Sequence, residues 1–420
     1  MPDASPTLSG LLHVVFLERA GGAPDASSSD HLGEAAFIVL RLVDLLATDR
    51  GPPSRDQVFR FQAAATARFC REEVEPGVET DHLIELVRST SAAQQRRDVG
   101  LAAPAMLAYA AYLEDAARYE EALDVVQTLE RAAGSRVPVA QAVAAALQMA
   151  RLYRKIARFD DADAAYERAA ALAVVAGDQH AELLSRLGRA NVCWGRGNLA
   201  EAERWNREVL EDARAAGERD AEARAEHGLG TVLGARGQPL DALPHLWRAF
   251  ELYQDESLSL LALHDLGFDL ARLGAIEDAE RALRHVVQAT HNQGARQDAM
   301  IELLHCASYR RDRVGFTRWR ALCENEVPRM APNTLADYHL KLGIGLARFG
   351  RFERADSEME QALETARVNG LHEFEFRIDR IRGGLQDVEA LGCAEHEDAA
   401  PVVQGAALKE VSAALATLGG

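Results

Sequence analysis

Long apolar runs are missing from this 420-residue chain. No stretch reaches the roughly 18 uninterrupted apolar residues of a membrane-spanning helix. The richest window, 99–113, is interrupted by Pro104 and reads as a buried helix, so no membrane partner is expected. The apolar run at 11–17 has no Lys or Arg before it, which argues against a secretory signal. Cysteine is scarce: Cys70, Cys193, Cys306, Cys323 and Cys393 are an odd number with no CxxC pair. That excludes a disulfide scaffold and points to a reduced, cytoplasmic chain. Positive charge is also short, with 47 Lys+Arg against 65 Asp+Glu and a net charge of −18. Nucleic acids and anionic membranes both demand positive potential, so nucleic acid is not an expected partner either. Lysine occurs only at 155, 341 and 409, a usage to which no function attaches.

Strand-type alternation is nearly absent, while apolar residues recur at three- and four-residue spacing. Segments 32–49, 55–74 and 80–98 read as helices, with Gly-, Pro- and Ser-rich loops at 21–30 and 49–54. A further boundary is expected at 395–401, followed by a short terminal helix. No GxxxxGK(S/T), GxSxG, HExxH or strand-borne GxGxxG motif occurs. The Gly-rich stretch 228–237 sits in a helical pattern. No catalytic residue, cofactor or metal is expected, and the chain reads as a non-enzyme.

What is present is repetition. Segments 118–132, 158–172, 198–212, 239–253, 275–289 and 351–365 place Ala122, Ala162, Ala202, Ala242, Ala279 and Ala355 at one equivalent position. A weaker copy at 315–327 carries Trp319 there, and the steps run 40, 40, 40, 37, 40 and 36 residues. Another helix precedes each copy. Four of these contain Leu-Gly with a second Gly seven residues on: Gly188 and Gly195, Gly230 and Gly237, Gly267 and Gly274, Gly343 and Gly350. The first Gly suits a close helix approach and the second a left-handed helix end. Gly134, Gly177, Gly217, Gly294 and Gly370 read as stops after the second helices. Seven helical hairpins of this size bury their apolar stripes only by stacking.

These residues resemble tetratricopeptide repeats. The seventh copy matches that family's pattern with Leu342, Gly343, Gly350, Phe352, Ala355 and Ala362, and the second with Ala150, Phe159, Ala162, Tyr166 and Ala169. The period is nearer 40 than the family's usual value of about 34. No repeat has the early Trp, and Gly-containing turns replace the closing Pro. This is similar to the longer-armed variety of bacterial regulatory proteins. The resemblance implies an all-α, α-α superhelix with a concave groove: seven repeats over 99–388, a helical N-terminal region over 1–98 (a cap or a decayed repeat), and an acidic tail with a short helix over 389–420.

In this family the first helix of each repeat lines the groove. Residues there would be Arg151, Arg154 and Lys155, Glu182 and Arg189, Arg224 and His227, and His264 and Arg272. Arg311, Asp312, Asp337, Arg348, Glu114 and Asp115 complete the set. Basic residues outnumber acidic ones here, against the trend of the whole chain, so an acidic peptide or protein partner is expected. His227 and His264 occupy equivalent places in successive first helices. Solvated groove lining is the plain reading, and a metal or proton-switch role the alternative. Cys306 and Cys323 read as core. The basic, aromatic-interleaved run 309–320 reads as a solvated turn with Arg stems over apolar surface, with acidic-protein or nucleic-acid contact as the alternatives. The implied function is a peptide-binding scaffold, or a sensor of a small peptide or metabolite that acts through a partner.

Overall fold

A computed structural model describes residues 12–20, 31–46, 53–133, 137–390 and 405–418. The predicted loop at 21–30, Gly134, Cys393 and the segment 395–401 lie outside them. Among the described residues there are helices and turns but no strand. The chain divides into two compact units, Met1–Trp205 and Asn206–Gly420.

The first unit begins with α1 (Val15–Ala20), α2 (His31–Asp44), α3 (Pro53–Glu72) and α4 (Val78–Arg96). Pro53 and Ser54, expected in a loop, open α3, where a proline loses no helical hydrogen bond. Helices α2, α3 and α4 pack on one another, and α4 packs on α5 (Ala103–Asp115). Two hairpins follow, α5 with α6 (Tyr119–Ala133) and α7 (Val139–Lys155) with α8 (Phe159–Ala176), then α9 (Gln179–Gly195). The unit boundary falls inside α10 (Leu199–Ala216).

The second unit continues with α11 (Arg219–Ala235) and α12 (Pro239–Leu252), α13 (Glu256–Arg272) and α14 (Ile276–Ala289). Next come α15 (Gln293–Tyr309) and α16 (Arg313–Glu326), α17 (Pro332–Arg348) and α18 (Phe352–Val368), then α19 (His372–Ala390) and α20 (Ala406–Leu415). Side-chain caps start many of these helices. Asp178, Asp255, Asn292 and Asp312 each accept from a backbone N–H two or three residues on, at 2.9–3.1 Å. Asp312, expected in the groove, is thus the cap of α16.

The six repeat alanines are buried, each at most 2 % exposed. In α16 the residue five after the left-handed turn, the place of those alanines, is Phe316, so the expectation of Trp319 there is corrected: Trp319 is buried three residues further on, and the repeat carries a large side chain at the alanine position. The first glycines sit where helices touch. A methyl group at Gly188 would lie 2.0 Å from Tyr166 Cε1, at Gly230 2.5 Å from Leu246 Cγ, and at Gly343 2.9 Å from Met359 Cγ. Two of the expected stops are corrected. Gly195 remains in α9, and the left-handed turn is made by Gly197 at φ 76°. Gly294 lies in the first turn of α15, because Asn292 caps that helix. Three hairpin turns are left-handed without glycine, at Ala117, Ala157 and Arg311.

The terminal helix α20 returns to the second helices α12 and α14. It buries Leu408, Val411 and Leu415, and Ser412 Oγ donates to Asp278 Oδ2 at 2.5 Å.

Candidate functional site: the first helices of the repeats

In the first unit, Arg151 and Lys155 on α7 both reach the buried Glu114 on α5. Arg151 Nε and Nη2 donate at 3.3 and 3.2 Å, and Lys155 Nζ lies at 3.2 Å. Burial alone would raise the Glu114 carboxyl. The two cations outweigh it and hold the group below the usual carboxylate range. Arg154 turns toward Tyr166, and its Nε is buried without a hydrogen-bond partner among the described residues. Arg189 on α9 grips Asp163 at 2.8 Å and Glu167 at 2.9 Å. Its guanidinium lies 5.2 Å from the Trp205 ring centroid, with those of Arg186 and Arg204 at 6.0 and 5.6 Å.

In the second unit, Arg224 pairs with Asp220 at 2.7 Å on its own helix. His227 and His264 meet, as their equivalent places suggested, but through a shared carboxylate. Asp265 Oδ2 lies 3.0 Å from His227 Nε2, and Asp265 Oδ1 lies 3.2 Å from His264 Nδ1. His227 Nδ1 is also 3.2 Å from the Tyr253 hydroxyl, while His264 Nε2 is buried with no partner among the described residues. Burial opposes charge on both His264 and Asp265. Their pairing prevails, raising the His264 pKa above its ordinary value and depressing that of Asp265. Among the described residues no group of three or more His, Cys, Asp or Glu side chains is placed to hold a metal ion.

Further along, Arg272 Nη1 donates to Gly234 O and to Asp269 Oδ1, both at 2.9 Å. Arg311 Nη1 donates to Arg348 O at 2.9 Å, and Arg348 Nη1 to Ser308 Oγ at 2.8 Å. The Arg348 guanidinium stacks 3.5 Å from the Tyr309 ring centroid. The basic run is likewise engaged: Arg310 with Glu280 at 3.3 Å, Arg320 with Glu324 at 2.7 Å, and Arg313 over Phe349. Cys306 and Cys323 are buried, and burial pushes the Cys323 thiol up to about 12. Both are therefore protonated and inert at neutral pH.

Most of the expected groove cations are thus matched by carboxylates or carbonyls. Sequence counting missed the ionisable residues beside them: half-buried Asp265 and Asp298, and buried Glu302 and Lys341. The signal was available. Asp265, Glu302 and Lys341 follow one another at steps of 37 and 39 residues, the steps between the turns at Gly274, Arg311 and Gly350 rather than the 40 and 36 read from the alanine pattern, and so hold one register position on α13, α15 and α17. Lys341 Nζ bonds Glu302 Oε1 at 2.5 Å and Asp337 Oδ2 at 2.6 Å. A larger cavity of 530 Å³ opens between α2 and α3, against Leu42, Leu45, Phe61 and Phe69, away from the repeat helices.

Residues 183–255 match the family model described as tetratricopeptide repeat. That segment carries tetratricopeptide repeats, and further helical hairpins lie on either side of it. No curated protein matches the sequence. Among solved structures, the chain is similar to the apo form of the quorum sensor NprR from B. thuringiensis, with 14% identity, 79% of this chain and 98% of that chain covered, and a TM-score of 0.51. It is also similar to the Rap conjugation gene regulator of the plasmid pLS20 in complex with the Phr* peptide, with 12% identity, coverage of 79% and 97%, and a TM-score of 0.51. The apo form of RapI gives 9% identity, coverage of 80% and 98%, and a TM-score of 0.50. At such identities the likeness is one of fold.

Proposed function

We propose that this chain is a non-enzymatic regulator or scaffold that binds a peptide segment on the face made by the first helices of its second unit, α11, α13, α15 and α17. The observation that carries the reading is the row of ionisable side chains on α11, α13, α15 and α17. A repeat array needs only apolar contacts to stack. Here half-buried Asp265 and buried Glu302 and Lys341 occupy one register position instead, with His264 Nε2 left unpartnered among the described residues. Buried polar groups cost stability unless matched; the carboxylates and Lys341 match one another, and the His264 Nε2 left over is a group that a ligand can match. A fold-mate is known with a peptide, as the Rap regulator in complex with Phr* illustrates.

The acidic preference belongs to the same proposal. Its basis is the set of first-helix cations, whose present carboxylate partners mark the chemistry they select. Fluorescence anisotropy against acidic, neutral and basic peptide libraries tests it. Saturable binding with acidic peptides ahead is expected, and no binding by any library refutes the peptide reading.

A further inference from the structure

A small cavity of 140 Å³ lies where α13, α15 and α17 meet α19, the helix that follows α18 in the place of a further first helix. Its polar wall holds Arg272, Lys341 and Arg377 against one carboxylate, Glu302, with His305 among them. Phe268, Ala271 and Tyr309 supply an apolar side.

The wall has more hydrogen-bond donors than acceptors to receive them. Arg272 spends Nη1 on Gly234 and Asp269, leaving Nε and Nη2 without an acceptor among the described residues. Lys341 spends two of its three N–H bonds on Glu302 and Asp337. Arg377 is exposed and makes no hydrogen bond or ion pair with any described residue. His305 Nδ1 is buried without a partner among them. Burial, then the positive charges of Arg348, Lys341 and Arg377, keep the His305 ring neutral, so one nitrogen donates and the other accepts. A ligand that satisfies the three cations of this wall carries acceptors and negative charge. It also has an apolar side, because phosphate would present oxygen to Phe268 and Tyr309 as well. The volume suits a chain end or one side chain, not a whole peptide.

We propose that this cavity is a carboxylate-binding pocket that takes one carboxylate of a bound segment, held by Arg377 and Arg272 and oriented by His305. It deepens the peptide-binding reading by naming one group the ligand carries.

The test needs no peptide. The full-length protein, labelled with ¹³C at histidine Cε1, is titrated with single amino-acid derivatives, and the His305 resonance is assigned with His305→Gln. N-acetyl-leucine mimics a chain terminus. The α-N-methylamide of N-acetyl-aspartate mimics an acidic side chain. N-acetyl-leucinamide carries no carboxylate. A saturable shift of His305 with at least one of the two acids, and none with the amide, is expected, and the acid that acts names the source. Arg377→Gln, at an exposed position, should weaken that binding about tenfold or more with an unchanged circular dichroism spectrum. Equal shifts with acid and amide, a response to inorganic phosphate alone, no response at all, or wild-type affinity in Arg377→Gln would each overturn the pocket. Its failure leaves peptide binding to be judged by anisotropy, and the reverse holds too.

Discussion

Lys341 on α17 and Glu302 on α15 form a buried ion pair across two repeats, 2.5 Å apart, each side chain about 5 % exposed. Asp337 adds a second carboxylate to Lys341 at 2.6 Å. Removing the cation leaves two carboxylates in poor solvation. Lys341→Met should cost about 3–5 kcal/mol in urea denaturation, and adding Glu302→Leu should recover part of that loss. A Lys341→Met variant as stable as wild type would show that the pair is not buried as described.

The glycines of the Leu-Gly pairs hold helices at contact distance. A methyl group at Gly267 would lie 2.8 Å from Leu283 Cγ, whereas one at Gly383 in α19 meets nothing within 4 Å. Gly267→Leu and Gly343→Leu should each cost about 1–3 kcal/mol through overpacking. Gly383→Ala should be neutral or stabilising. Equal melting temperatures for all three contradict the placement.

Ala157 turns the second hairpin at φ 59°, and Arg158 N closes the turn on Tyr153 O at 2.8 Å. A side chain there strains a left-handed backbone by about 1–2 kcal/mol, while glycine costs roughly 0.5–1 kcal/mol of chain entropy. Ala157→Gly should therefore stabilise by up to about 1 kcal/mol, read as a raised urea midpoint. A lowered midpoint contradicts this.

His13 ties the start of the chain to two helices. Its Nδ1 lies 2.6 Å from Asp124 on α6 and its Nε2 3.0 Å from Asp44 on α2, while Arg131 and Arg41 reach the same carboxylates. Burial lowers the His13 pKa, but the two carboxylates outweigh it and raise the value above 6.5. The stabilisation is therefore complete below pH 6.5 and is lost as pH rises through the higher folded-state value. The stability gap between wild type and His13→Asn should shrink from pH 6 toward pH 9. A gap that widens over that range contradicts the pairing.

The helices and their period were legible because stacked hairpins impose a recurring apolar stripe. Most of the glycine turns were legible for the same reason, since each uses one conformation repeatedly. The misplaced ones show the limit. At Gly197 the turn slid two residues past the patterned Gly195, and only backbone geometry reveals it. The site was less legible. The sequence shows Arg189 as a cation, but not that Asp163 and Glu167 of the preceding helix already hold it. Lys341 looks like an ordinary surface lysine until three first helices are laid in register. The return of α20 onto α12 and α14 follows no local pattern, because nothing in ten residues states what they pack against.

Peptide binding on the first-helix face is most directly measured by charge reversal. A fluorescent peptide selected from the acidic library is titrated against wild type, Arg224→Glu/Arg272→Glu and the exposed α18 variant Arg354→Glu, at low and physiological salt. Circular dichroism confirms that each variant is folded. Affinity should fall sharply in the double variant, stay near wild type in Arg354→Glu, and weaken with salt in wild type as surface charges are screened over about 8 Å. Equal affinity in all three proteins, or binding that ignores salt, would contradict a peptide site built from these side chains.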